Sequence, residues 1–152
     1  MIVPLEVVLA SDEAAMAAHK ELYHFPDESY RIVSAELLET VEALDGGMHK
    51  LHISANWTDI IKLAVWRSVP KAGDALVLLR TMGISHGELI PFKDANISDL
   101  FPWLYYGKGS VIMRKICIAA KTNTEKHIRR RDMRVHCHLS SREVSRIVAS
   151  SL

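Results

Sequence analysis

Three groups of residues in this chain have the types and spacing to do chemistry. The segment Lys121-Thr-Asn-Thr-Glu-Lys-His-Ile-Arg-Arg-Arg-Asp-Met-Arg134 concentrates permanent positive charge. On a helix beginning near residue 123, His127, Arg130, Arg131 and Arg134 would project from one side at i+3 and i+4 spacing. Guanidinium forks of that kind pair bidentately with phosphates or guanine edges, which lysines cannot do. A solvated surface helix is the plainer reading of such a run. The second group is His136-Cys-His138, an HxH pair whose imidazoles would face the same way on a strand, as in many metal sites. A third ligand has no evident position in the sequence, so no metal and no cofactor is expected. The third is His24, at the end of the first expected helix, where an imidazole that titrates near neutral pH could act as a general base.

The charge is unevenly spread. Residues 104–152 hold 11 Lys/Arg against 3 Asp/Glu, a balance of +8, whereas residues 1–103 carry −7, for +1 overall. One end of the molecule therefore suits an anionic partner, with nucleic acid the leading candidate.

Local patterns indicate the elements that carry these groups. Residues 2–9 read as a strand followed by a Ser11-Asp12 cap, and residues 12–24 as a helix ended by Pro26-Asp27. Val33, Leu37, Leu38, Val41 and Leu44 form a helical stripe, although Tyr30-Arg-Ile-Val-Ser34 equally fits a strand. His49-Lys-Leu-His-Ile-Ser54 alternates polar and apolar residues, the pattern of a half-buried strand. Ser54 or Asn56 caps a helix with Ile60, Ile61, Leu63, Ala64 and Val65 on its buried side, and a second helical piece over 74–82 ends at Gly83. Residues 84–109 are loop-rich. Val111 to Ala120 reads as a strand. Thr122-Asn-Thr-Glu125 and Ser140-Ser-Arg-Glu143 each fit a capping box, the second before a stripe of Val144, Ile147, Val148 and Leu152. This order predicts an α+β fold: a ferredoxin-like core over 1–109, its last strand at 110–120, and a basic helical arm over 121–152.

With 49% hydrophobic and 24% charged residues in 152, the composition is that of a folded globular chain. No apolar run reaches the roughly 20 residues needed to span a bilayer, so no membrane is expected. Met1-Ile-Val-Pro-Leu-Glu lacks a basic n-region, and Cys117 and Cys137 form no CxxC pair. Both features suggest a reducing cytoplasm with free thiols.

The arginine segment resembles part of the CRISPR repeat-processing endoribonucleases of type I-F systems, a Cas-six type. The matching residues are Ile116-Cys-Ile-Ala-Ala-Lys121, Lys121-Thr-Asn-Thr-Glu125, Lys126-His-Ile-Arg-Arg-Arg-Asp-Met-Arg134 and Leu139-Ser-Ser-Arg-Glu143. Leu51-His-Ile-Ser-Ala-Asn-Trp-Thr-Asp-Ile60 is similar to the family's strand-to-helix junction. Glu21-Leu-Tyr-His24 with Arg31-Ile-Val-Ser34 is similar to its active-site helix and second strand. The resemblance implies a strand over 30–36 and an arginine helix laid along the major groove of a repeat hairpin. It also implies metal-free attack of a ribose 2′-hydroxyl that leaves a cyclic phosphate. The residues assigned on that basis are His24 as catalytic base and Lys121, Lys126, Arg129, Arg130, Arg131 and Arg134 as RNA contacts. The partners expected are a CRISPR repeat hairpin and other subunits of an antiviral CRISPR effector. No serine of this chain matches the family's partner for the histidine. The alternatives are an RNA binder that does not cut, a non-enzymatic interaction protein with a basic arm (including a phage-borne mimic that engages the CRISPR complex), and a metal enzyme built on His136 and His138.

Overall fold

The computed structural model of the chain describes residues 6–33, 36–44, 50–128 and 133–152. Five strands form one sheet: β1 (Glu6–Ala10), β2 (Tyr30–Ile32), β3 (Lys50–Ala55), β4 (Arg134–Ser141) and β5 (Arg146–Ser150), in the order β2-β1-β3-β4-β5. The pairs β1–β2, β1–β3 and β3–β4 are parallel, and only β4–β5 is antiparallel. The helices are α1 (Glu13–Tyr23), α2 (Leu37–Glu42), α3 (Trp57–Val65), α4 (Ala72–Thr81), α5 (His86–Leu89), α6 (Ile97–Trp103) and α7 (Ser110–His127).

Helices and strands do combine as the expected mixed class requires. The strand order and directions differ from a ferredoxin-like core, in which neighbouring strands run antiparallel. The reason lies in the stripe Leu37, Leu38, Val41 and Leu44, all buried. It makes α2 a crossover after a three-residue β2, and a helical crossover returns the chain parallel to its starting direction. The 30–36 strand is accordingly only Tyr30–Ile32.

Residues 110–152 depart furthest from expectation. Val111–Ala120 is helix, not strand, because Met113, Ile116, Cys117, Ala120 and Thr124 are buried at helical spacing along α7, which packs on α3. The Thr122–Glu125 segment therefore lies inside α7 and caps nothing at its start. Thr124 Oγ1 donates to Ala120 O at 2.7 Å, and Asn123 Nδ2 donates to Leu63 O and Ala64 O, the free carbonyls at the end of α3. Ser140–Glu143 does not open a helix either. It ends β4 and enters the turn to β5, with Ser145 at φ 51°. Among the described residues, the stretch expected as an arm is thus the end of α7 and two strands, with β4 paired on both sides.

The two faces of the sheet are unlike each other. Odd-numbered residues of the central strands (Val7, Leu9, Leu51, Ile53, Val135, Cys137 and Leu139) are buried in the main apolar core beneath α2, α3 and α7. Even-numbered residues face the other way, and on β3 and β4 these include His52, Ser54, His136 and His138. Helix α1 packs against β3, β4 and β5 on that side. The local reason for α1's position is well defined: Asp12 Oδ1 accepts the Ala15 N–H at 2.7 Å as N-cap, and Ser54 Oγ donates to Ala15 O at 2.8 Å.

Candidate metal centre

Beneath α1 three imidazoles converge. His19 comes from α1, His52 from β3 and His138 from β4; their exposures are 0%, 5% and 0%. Each offers a ring nitrogen, and these nitrogens lie within 4.8 Å of one another. Strand register makes the convergence possible, since His138 is opposite Ser54 and so one step along from His52 on the same face. The ring centroids are 5.4 Å (His19–His52), 5.1 Å (His19–His138) and 5.6 Å (His52–His138) apart.

The outward nitrogen of each ring meets an oxygen. His19 Nδ1 lies 2.7 Å from the Tyr30 hydroxyl, His138 Nδ1 3.0 Å from Ser150 Oγ, and His52 Nε2 3.4 Å from Glu6 Oε1. A carboxylate can only accept, so His52 carries its proton on Nε2 and leaves a lone pair on Nδ1. The Tyr30 and Ser150 hydroxyls accept as readily as they donate, so His19 and His138 can take the same outward-donating tautomer, which turns their Nε2 lone pairs inward. His19 Nε2 is buried with no hydrogen-bond partner, and His52 Nδ1 stands 3.3 Å from His138 Nε2. With its proton on Nε2, His138 donates to His52 Nδ1 across that distance, and a cation between the two nitrogens would replace that proton. A tetrahedral zinc with bonds of 2.0–2.1 Å sets its nitrogens about 3.3–3.4 Å apart.

Electrostatics keeps the rings neutral and able to donate electron pairs. Burial, followed by the charge of His52, lowers His19 to about 4. Burial, followed by the neighbouring His19, His52 and His136, lowers His138 to about 3. His52 is also lowered by burial, against the opposing pull of Glu6. The thiols belong elsewhere. Cys137 is on the core face, and burial pushes Cys117 up to about 12, so neither is a thiolate ligand for this cluster.

Aromatic rings close the cluster. Tyr23 stacks on His19 at 4.6 Å and lies 5.1 Å from His138; Phe25 meets His52 edge-on at 5.1 Å. Between them His24 is held in the left-handed region at φ 56°, its N–H donating to Lys20 O to end α1. His24 itself is exposed. Its backbone turn places the two aromatic neighbours, while its imidazole stays outside the buried cluster.

Of the described residues expected to bind RNA, Lys121 and Lys126 are on α7 and Arg134 is on β4. Helix α7 ends at His127, where the arginine comb was expected to start. His127 stacks on Trp66 with centroids 4.0 Å apart. Lys121 is paired with Glu125 at 2.9 Å, Lys126 is exposed on the last turn of α7, and Arg134 is the exposed first residue of β4. Arg129, Arg130 and Arg131 lie outside the described residues. Of the HxH pair, His138 joins the cluster and His136 does not. His136 neighbours His52 at 5.2 Å, and its Nδ1 is buried without a partner. Nothing in the sequence singles out His19, and the signal for His52 is only its place on the polar side of the 49–54 alternation.

A separate concavity of about 610 Å³ lies at the carboxyl ends of β1, β3 and β4, lined in part by Asp12, Asn56, Asp59, Lys62 and Arg142. That is the switch point of a parallel sheet, a common place for ligands. Four of its charges pair with one another. Arg142 donates to Asp12 Oδ2 through Nη2 at 2.6 Å and Nε at 3.2 Å, and Lys62 pairs with Asp59 at 2.8 Å. Burial alone would raise the Asp12 carboxyl, but hydrogen bonds from Ala15, Arg142 and Asn56 outweigh it and hold the group below its ordinary value.

No known protein family matches the chain by sequence, and no curated protein does. Among solved structures it is similar to a β-carbonic anhydrase, isoform I, of the protozoan Trichomonas vaginalis. The identity is 9% and the TM-score 0.44, over 94% of this chain and 80% of that one. A likeness of that strength carries neither fold nor chemistry. Among the described residues, no helix is long and apolar enough to cross a membrane.

Proposed function

We propose that this protein binds one divalent transition-metal ion, of the zinc class, through His19, His52 and His138. The observation that carries the reading is the set of three convergent inward nitrogens whose outward partners are all oxygens. That is the arrangement of ligating histidines held by outer hydrogen bonds, which fix the tautomer and raise ligand basicity. Neutral imidazoles without thiolates or carboxylates suit zinc, copper, nickel or cobalt over magnesium or calcium. Zinc titration by calorimetry, with metal content measured after dialysis, tests the reading: one equivalent retained per chain supports it, and none retained removes it.

The outer partners give a sharper expectation. Tyr30→Phe keeps the ring and removes only the oxygen that meets His19 Nδ1, so zinc affinity should fall roughly 10-fold, within the 10–100-fold range of such changes. Unchanged affinity in a folded variant would show that His19 is not a ligand.

A second reading keeps RNA as partner, supported by where the topology gathers cations. Lys50 and Arg134 are register partners at the starts of β3 and β4, and Lys126 is on the last turn of α7, which leads into β4. Helix α1 returns against the strands, bringing its exposed end at His24 to the same edge of the sheet. The crRNA cleavage that the type I-F resemblance implies depends on this reading. A labelled CRISPR-repeat hairpin should bind with an affinity that drops steeply from 50 to 200 mM salt, by about tenfold or more for a few phosphate contacts. Binding that ignores salt, or equal binding of an unstructured strand, would dismiss it.

A further inference from the structure

Three imidazoles bring no negative charge to a doubly charged ion, and burying an uncompensated charge among aromatic rings is costly. Among the described residues, the protein's own anions are badly placed to help. Glu6 meets His52 at Nε2, across the ring from the inward Nδ1. Cys137 faces the apolar core and Cys117 is a buried thiol beside it. The Tyr23 hydroxyl interacts with Ser150. Three ligands also leave a tetrahedral ion one position short, the pattern of reactive zinc centres as distinct from closed structural ones.

We infer that the centre takes its fourth ligand from solution, and that this ligand is a small inorganic monoanion. The inference rests on the metal reading above. A monoanion halves the buried net charge, and the cover formed by the Tyr23 and Phe25 rings favours a small ion over a bulky one. His136 supplies a further reason. It is the register partner of His52 on the same face, and its Nδ1 is buried and lacks a hydrogen-bond partner. Buried polar atoms of that kind are uncommon in folded proteins and call for a partner. Its ring lies 5.2 Å from that of His52, so an anion held on the His136 side of the cluster would give it one.

Cobalt(II) is the probe ion and azide the probe anion. Cobalt should be retained at one per chain, and its visible spectrum should shift saturably as azide is added, with one azide per cobalt. His136→Phe should retain cobalt and weaken azide by about 10-fold, the value of one hydrogen bond to a charged group. A cobalt-loaded protein whose spectrum ignores azide overturns the inference while leaving the metal reading standing. So does a cobalt spectrum that changes in Tyr23→Phe before any azide is present, because Tyr23 would then be the fourth ligand. Failure to retain cobalt is a different outcome and overturns the metal reading, with the anion inference falling alongside it.

Discussion

Replacing His138 with alanine is expected to abolish zinc retention under conditions where the parent chain keeps one ion. Structural zinc sites are worth about 10–16 kcal/mol in total, so one ligand of a small set contributes roughly 3–4 kcal/mol, a 10²–10³-fold change in affinity. His138 is the decisive choice because its Nε2 faces His52 Nδ1 at 3.3 Å and its ring is fully buried. His136→Ala is the informative partner variant, since the HxH spacing alone makes the two residues equivalent. The geometry does not: His136 should cost zinc affinity far less than His138. Equal losses would mean that the pair acts as a strand-borne chelate and that His19 is not involved. Far-UV circular dichroism of both variants separates loss of a ligand from loss of the fold.

The metal-free protein should lose stability steeply in mild acid. His19 and His138 have folded values of about 4 and about 3, both below the ordinary 6.5. The unfolded chain therefore binds more protons than the native one below pH 6.5, and stability rises with pH across that window. The contribution is intact above about pH 6.5 and is lost progressively as pH falls toward 4. Each pH unit separating the unfolded and folded values is worth about 1.36 kcal/mol, so His19 alone accounts for about 3 kcal/mol over that range. His138 acts in the same direction, and the sum is comparable with the roughly 5–15 kcal/mol that holds a typical domain together. Urea melts at pH 8, 7, 6 and 5 read this directly. Zinc should raise the midpoints by binding only the folded chain, and should keep that effect down to about pH 5, because His19 and His138 stay neutral in the folded protein until the pH approaches 4. A stability profile flat from pH 7 to 5 would show that these imidazoles are not buried in the neutral form.

Much of the local structure is legible in the sequence, and the reasons are local. The Ser11-Asp12 cap, a strand over 50–54 and the Asn56 cap each rest on interactions within a few residues and are present in the fold. Strand β3 is buried on both faces, however, and not half-buried, because α1 covers the face that carries His52 and Ser54. The segment 111–120 reads as a strand because β-branched residues at Val111, Ile112, Ile116 and Ile118 imitate one. The helical spacing of Met113, Ile116, Cys117, Ala120 and Thr124 nevertheless carries on past that apparent boundary, and it prevails. Capping boxes at 122–125 and 140–143 fail for a related reason. Ser, Thr and Asn bond to whichever backbone groups are free nearby, and Asn123 finds those of α3 instead of its own helix.

By itself, then, the sequence determined the approximate extents of α1, β3 and α4, the capped starts of α1 and α3, and the presence of histidine beside cysteine at 136–138, whereas the stretch 84–109 that reads as loop-rich holds α5 and α6. Only the tertiary structure decided that His19, His52 and His138 share one site. Residues 52 and 138 are 86 positions apart and meet because β3 and β4 pair in parallel with Ser54 opposite His138. His19 joins them because the crossover between β1 and β2 lays α1 on that face. Periodicity records which residues of a strand share a side. It does not record which strand lies alongside or what covers that side, and those two facts turn isolated histidines into a ligand set.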